Sequence, residues 1–248
     1  MWDDGHILKL YRDWCPPDWV EYEARIARAV HEAGIPSPNV GEIIEVTSRR
    51  GLLYERLEGP SMLEDMNARP WMLLKYARLL AELHRQIHQQ SISGLPSYKA
   101  RLDYDIRNNS HLSEELRNKA LDRIASLPNG EKICHGDYHP GNVLVTKSGP
   151  IVIDWMTACI GSPGADVART SLLLSIGAKA AGKQVRPIIR NVIKLYHRTY
   201  LQRYRLLEPE PVKEAARWSP VIAAARLSEN IIPERKALIK MVEEGLTN

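Results

Sequence analysis

"CHGDYHPGNVLVTKSGPIVIDW", residues 134 to 155, sets two Asp, two His, one Asn and a Trp between short apolar runs. Asp137 and Asn142 stand in the spacing D-x-x-x-x-N, and Asp154 follows twelve residues after Asn142. The runs Val143 to Val145 and Ile151 to Ile153 read as two short strands, joined by a turn at Lys147-Ser148-Gly149-Pro150 where Gly and Pro break regular structure. Such a hairpin returns the end of the second strand beside the start of the first. Asp137, Asn142 and Asp154, the last ending an apolar strand, would then converge.

Two carboxylates and an amide oxygen are what transfer of a phosphoryl group from a nucleotide requires. One carboxylate orients the attacking hydroxyl, and hard oxygen ligands hold Mg2+ against the phosphates. The Asp-to-Asn spacing is that of the kinase catalytic loop. Protein kinases carry H-R-D there, with an Arg that senses a phosphorylated activation loop. In this chain Gly136 takes that place, and only eleven residues separate Asp154 from Asp166. The expectation is a constitutive small-molecule kinase.

Upstream, "HILKLYR" (6 to 12) alternates like a strand, Pro16-Pro17 stops it, and Asp18 is placed to cap a helix over residues 19 to 33. "EIIEVTS" and "GLLYERL" read as a hairpin turning at Arg49-Arg50-Gly51. On the helix, Glu23 shares a face with Ile26, Ala27 and Val30, whereas Glu21 lies with Arg25 and Arg28. A carboxylate on the buried stripe needs a partner. Lys9, between Leu8 and Leu10 on the preceding strand, is the candidate, and is placed to steer nucleotide phosphates. Farther on, Leu73, Tyr76, Leu80, Leu83 and Ile87 mark a long amphipathic helix, and everything from 165 onward reads as helices broken near Gly182, Pro209 to Pro211 and Pro233.

"HGDYHPGNVLV" followed by "IVIDW" resembles the aminoglycoside phosphotransferase and choline kinase family, which shares the protein-kinase-like fold. "ILKLYR", "EARIARAVHEAGIPSPNV", "LLYERLEGPSM", "LAELH" and "GSPGADVART" extend the resemblance, in order, over most of residues 6 to 175. It implies an α+β fold, with a small β-rich nucleotide-binding lobe holding one helix over residues 1–57 and a larger, mostly helical catalytic and substrate-binding lobe over 58–248. It implies Asp137 as catalytic base, Asn142 and Asp154 as Mg2+ ligands, Asp166 as a residue steadying the catalytic loop, and His135 as structural. The nucleotide, ATP or GTP, would meet Lys9 paired with Glu23, and its base would meet the backbone around Glu55 and Leu57. The acceptor would be a hydroxyl of a small molecule.

One part of the pattern is missing. Eight residues precede Lys9, with Gly5 their sole glycine, so the Gly-rich loop that should cover the phosphates is not there. The expectation is either a start lying farther upstream or a lobe that binds nucleotide weakly. The second leaves an alternative function, a catalytically weak or inactive pseudokinase or ligand-binding module.

The 248 residues, 44% apolar, can bury a real core, and no stretch approaches the eighteen or more apolar residues that span a bilayer. The first thirty residues lack the basic start and apolar core of a signal peptide, so a cytoplasmic protein with no membrane partner is expected. Cys15, Cys134 and Cys159 show no CxxC spacing and read as reduced thiols. Residues 178 to 248 hold 14 Lys and Arg against 7 Asp and Glu, a net +7. This basic surface reads as solvated helix faces rather than a nucleic-acid site, and favours a neutral or anionic acceptor over a polycationic aminoglycoside. His84 and His88 have the i, i+4 spacing of helical zinc ligands but lack the Glu of H-E-x-x-H and a third ligand, so zinc is not expected. No G-x-S-x-G or G-x-G-x-x-G pattern supports acyl or hydride transfer. Oligomeric state is left open by the sequence.

Overall fold

The computed structural model describes residues 2–180 and 187–246. Strand β1 (His6–Leu10) is followed by helix α1 (Pro17–Glu32), strands β2 (Val40–Val46) and β3 (Arg49–Glu55), and helix α2 (Met62–Ala68). Helices α3 (Leu73–Gln89), α4 (Tyr98–Arg107) and α5 (Glu114–Ser126) precede the short strands β4 (Lys132–Cys134), β5 (Val143–Thr146), β6 (Gly149–Val152) and β7 (Cys159–Gly161). Helices α6 (Pro163–Ala180), α7 (Pro187–Leu207), α8 (Pro209–Arg226) and α9 (Ile232–Leu246) complete the described chain. The expected break at Gly182 lies outside the described residues. Two compact units result: Met1–Trp71 with Pro140–Ala158, and Met72–His139 with Cys159–Asn248.

In the first unit β1, β3 and β2 form an antiparallel sheet in that order. Val20, Ala24 and Ala27 of α1 pack with Val40 and Leu52 into its core, as the 3.6-residue spacing of the apolar positions dictates. Pro16 occupies the N-cap position of α1, and no side chain caps it. Asp18 therefore sits two residues past the N-cap, in the first turn, where its charge still meets the positive end of the helix. The β2–β3 hairpin turns at Thr47 and Ser48, both left-handed (φ 50° and 65°), because Val46 pairs with Arg49. The expected turn at residues 49 to 51 is thus corrected. Gly51 lies inside β3, opposite Leu10 on one side and Ile44 on the other. A second correction has the same form. Thr146 pairs with Gly149, so Gly149 and Pro150 belong to β6 and only Lys147 and Ser148 form the turn. The Thr146 hydroxyl closes that turn, donating to the carbonyl of Gly149 at 2.6 Å.

The second unit is built on helices. The stripe expected on α3 is buried at Tyr76, Leu80, Leu83 and Ile87, and Ala77, Ala81, His84 and His88 widen it. Helix α8 carries a nearly inaccessible run, Val221 to Ala224, and packs against both α6 and α9. Strand β7 is only three residues long, too short for sequence alternation to mark it, and pairs with β4 so that Cys134 faces Cys159. Among the described residues no helix is long and apolar enough to cross a membrane.

Candidate active site

Glu23 is the most deeply buried charge among the described residues of the first unit, with its side chain 2% exposed. Three donors satisfy it: Lys9 Nζ at 2.7 Å and the Tyr54 hydroxyl at 2.8 Å on Oε1, and the Tyr11 hydroxyl on Oε2. A carboxylate out of water is tolerable only when its lone pairs are filled in this way. Burial, reinforced by the bonds to Glu23, pushes both phenols far above their usual range, so each remains a donor at any working pH. Lys9 keeps 42% of its side chain exposed and also lies 3.7 Å from Asp154 Oδ1. The ammonium thus bridges a buried carboxylate and an open one.

A cavity of about 360 Å³ opens on this pair, entirely within the first unit. Leu8, Leu57, Leu144 and Ile153 give it apolar walls, while Lys9, Asn142 and Asp154 supply polar groups and Glu55 lies at its edge. Asn142 ends a 3-10 turn at Pro140–Asn142 ahead of β5, and its carbonyl accepts from the Ile153 amide at 3.0 Å, the contact that draws Asp154 alongside. Asp154 lies two residues past the end of β6 in a left-handed conformation, φ 64° and ψ 60°. That conformation costs a residue with a Cβ roughly 1–2 kcal/mol. The expectation that Asp154 ends a strand is refined: β6 stops at Val152, and the chain bends sharply to turn the carboxylate, half exposed, toward Lys9. An amide and an ionisable carboxylate in one cavity are hard oxygen donors that fit Mg2+.

Asp137 belongs to the second unit. Arg169 Nη2 lies 3.4 Å from its Oδ1 and His139 Nε2 lies 3.6 Å from its Oδ2. Burial alone would raise its carboxyl, but the His139 contact and the charges of Arg169, His139 and His135 outweigh that and hold it at about 2. Arg169 also donates to the Gly136 carbonyl at 3.1 Å and pairs with Glu229 at 2.7 Å. Gly136 has φ 78°, which explains why glycine rather than arginine follows His135.

Behind this loop, Asp166 is fully buried. It accepts from the backbone amides of His135 (2.6 Å) and Gly136 (2.9 Å) and from Nε2 of His84 (3.1 Å) and His88 (3.2 Å). Burial opposes its charge, yet the two imidazoles keep it well below the ordinary carboxylate range. It lies inside α6, three residues past Pro163, so it serves the loop and the histidines rather than the helix end. His135 is buried too, and its Nδ1 accepts from the Asp137 amide at 3.2 Å.

A family model described as the phosphotransferase enzyme family matches residues 3–207. The chain belongs to that family. No curated protein sequence matches it. Among solved structures it is similar to an aminoglycoside-3'-phosphotransferase of type VIII, at 20% identity over 88% of this chain and 84% of that one, with TM-score 0.59. It is similar to a thermostable aminoglycoside phosphotransferase in complex with AMP-PNP and hygromycin B, at 15% identity over 99% and 89%, with TM-score 0.60. An aminoglycoside phosphotransferase from Streptomyces rimosus, solved with ADP and streptomycin, matches at 17% identity over 87% of each chain, with TM-score 0.52. At these identities the likeness is one of fold, the protein-kinase-like α+β fold expected from the sequence.

Within this phosphotransferase-family chain the structure gathers Lys9, Glu23, Asn142, Asp154, Glu55 and Leu57 around or beside one cavity, and gathers Asp137, His135 and Asp166 in the second unit. Sequence reasoning missed Tyr11 and Tyr54, the other two partners of Glu23. Tyr11 stands two residues after Lys9, so alternation carried one step past β1 could have found it, whereas Tyr54 stands two residues after Leu52, whose pairing with Lys9 only the sheet reveals. It also missed Arg169 and Glu229 beside Asp137, which lie 32 and 92 residues away in sequence and carry no local signal. The third group near His84 and His88, absent from their own helix, is Asp166, with ligand-type atoms of the three within 4.8 Å of one another.

Proposed function

We propose that this chain transfers the γ-phosphate of ATP, or GTP, to a hydroxyl of a small molecule, with Mg2+ at Asn142 and Asp154. The observation that carries the reading is the Lys9 ammonium held between Glu23 and Asp154 at the mouth of a cavity that also contains Asn142. The apolar walls suit a nucleobase and its sugar, with the backbone around Glu55 and Leu57 available to the base edge. Lys9 faces the phosphates as a point charge, its position fixed by Glu23. Mg2+ bound there would screen the phosphate charge and keep the leaving oxygens aligned.

Asp137 acts on the acceptor. A carboxyl held at about 2 stays ionised at neutral pH and is a weak base, so it accepts the acceptor's O–H and aligns the oxygen rather than removing the proton early. That is the role a loose phosphoryl-transfer transition state asks for. Arg169 and Glu229 stand beside it, so the acceptor meets a balanced pair of charges there and not the net positive charge of the last 71 residues.

The test is release of ADP from MgATP with a panel of alcohols spanning aminoglycosides, choline, homoserine and sugars. Acceptor-stimulated release is expected in the wild type and its loss in Asp137→Asn. A wild type with neither acceptor-stimulated turnover nor any thermal shift in millimolar MgATP overturns the reading, because a ligand bound only by the folded state must stabilise it.

A further inference from the structure

Four side chains on two helices converge on Asp166 in a repeated pattern. His84 and His88 stand one turn apart on α3, and Tyr200 and Tyr204 one turn apart on α7. The Tyr200 hydroxyl lies 2.7 Å from Nδ1 of His84, and that of Tyr204 lies 2.6 Å from Nδ1 of His88, each pair 116 residues apart in sequence. The other ring nitrogen of each histidine points at the same oxygen, Asp166 Oδ2. All five side chains are buried.

The proton positions follow from the partners. An ionised carboxylate can only accept, so Nε2 of both rings must carry hydrogen. A neutral imidazole then offers Nδ1 as an acceptor, and burial keeps His84 neutral by lowering it to about 3. The Tyr200 hydroxyl must therefore donate, and Tyr204, set against His88 with the same two contacts, is assigned the same role by geometry. The same accounting leaves none of the three metal-type ligands a free lone pair toward the others, so the cluster is complete as a hydrogen-bond network. At its far end Asp166 takes the amides of His135 and Gly136, the two residues immediately before Asp137. His84 further stacks on Tyr138, immediately after Asp137, with ring centroids 4.2 Å apart.

We infer that Tyr200 and Tyr204 are positioning residues for the Asp137 loop, acting through His84 and His88 by fixing both imidazoles as Nε2–H tautomers that donate to Asp166. Without the hydroxyl, Nδ1 is a buried acceptor with no donor, and a ring that changes tautomer to relieve this withdraws its hydrogen from Asp166. The carboxylate then holds the loop amides with fewer supporting donors. The role of Asp137 in catalysis rests on the reading above, whereas the hydrogen-bond geometry does not.

The experiment compares wild type with Tyr200→Phe, Tyr204→Phe and the double variant by three readouts. Long-range 1H–15N correlation spectra should show His84 and His88 as pure Nε2–H tautomers in the wild type, with the affected ring becoming mixed in each variant. Hydrogen exchange at the His135 and Gly136 amides should accelerate about tenfold or more in the double variant, while the Ile133 amide, bonded to Gln90, should not change. Turnover should fall in kcat with KM for ATP unmoved. A wild-type Nδ1–H tautomer at either histidine overturns the inference without any variant. So does a double variant whose melting temperature falls while both loop amides keep their protection. Absence of turnover in every sample would strike the proposed function alone, since the spectra and exchange rates would still decide this one.

Discussion

The ammonium of Lys9 lies 2.7 Å from Oε1 of Glu23, yet the two ends of this ion pair live in different media: Lys9 is 42% exposed and Glu23 2%. Removing the lysine would strand a buried charge with only two phenols to satisfy it. Lys9→Met should lower stability by about 1–3 kcal/mol, less than for a fully desolvated pair because Tyr11 and Tyr54 remain. It should also abolish the thermal shift with MgATP. An unchanged urea midpoint would show that the pair is incidental.

Tyr11 and Tyr54 act on the same carboxylate, so their removal should not be additive. Each Tyr→Phe change should cost about 1–2 kcal/mol and the double change more than the sum, because a single remaining donor cannot hold Glu23 in place. A double-mutant cycle from denaturant titrations gives the coupling directly. Strict additivity would count against a shared network.

For Asp137 the sign of the pH effect is fixed by its lowered carboxyl. A folded-state value of about 2 against an ordinary 3.8 means a contribution to stability that is full above about 4 and is lost as pH falls toward 2. Arg169→Gln should move the Asp137 titration upward toward the ordinary value. Carbon-13 titration of the side-chain carboxyl reads this, and identical midpoints in the two proteins would remove Arg169 from the account.

His84 gives a second and wider acid window. It ionises near 6.5 in the unfolded chain and only near 3 when folded, so the unfolded state binds the extra proton as pH falls between those values. Stability should decline through that interval by up to about 1.4 kcal/mol per pH unit. His84→Gln should flatten the slope, and a melting temperature constant from pH 7 to pH 4 would contradict the buried neutral ring.

Gly136 is the position where the backbone itself decides the residue. With φ 78°, Gly136→Ala should cost roughly 1–2 kcal/mol, and the distortion should appear first as lost protection of the amide bonded to Asp166. Equal stability of the two proteins would mean that the loop relaxes out of the left-handed region.

How legible this was in the sequence depended on whether the signal was local. The α3 stripe, the face of α1 that carries Glu23, and the strand pair around Asn142 and Asp154 were readable because apolar periodicity and short spacings encode them. The first hairpin turn lies two residues before its expected start, and the second ends two residues before its expected end. Gly51 drew the first turn onto itself, whereas the left-handed residues there are Thr47 and Ser48; Gly149 and Pro150 stretched the second beyond Lys147-Ser148 into β6. Arg169 beside Asp137, and Tyr200 and Tyr204 behind the histidines, are tertiary relationships between distant helices. The net charge of the last 71 residues is equally blind to position: Arg190, Lys194 and Arg198 are exposed on α7, as solvated helix faces would have it, while Arg169 beside Asp137 lies outside those residues.

The facing thiols of β4 and β7 supply a clock. Cys134 and Cys159 are sealed in the second unit, and burial pushes the Cys134 thiol far from ionisation, whereas Cys15 in the first unit is partly open. A thiolate-seeking reagent would therefore mark Cys15 at once and reach the other two only when the strand leading into His135 separates from its neighbour. The slow phase of labelling would time the opening of the strand that leads into the Asp137 loop, with no residue changed.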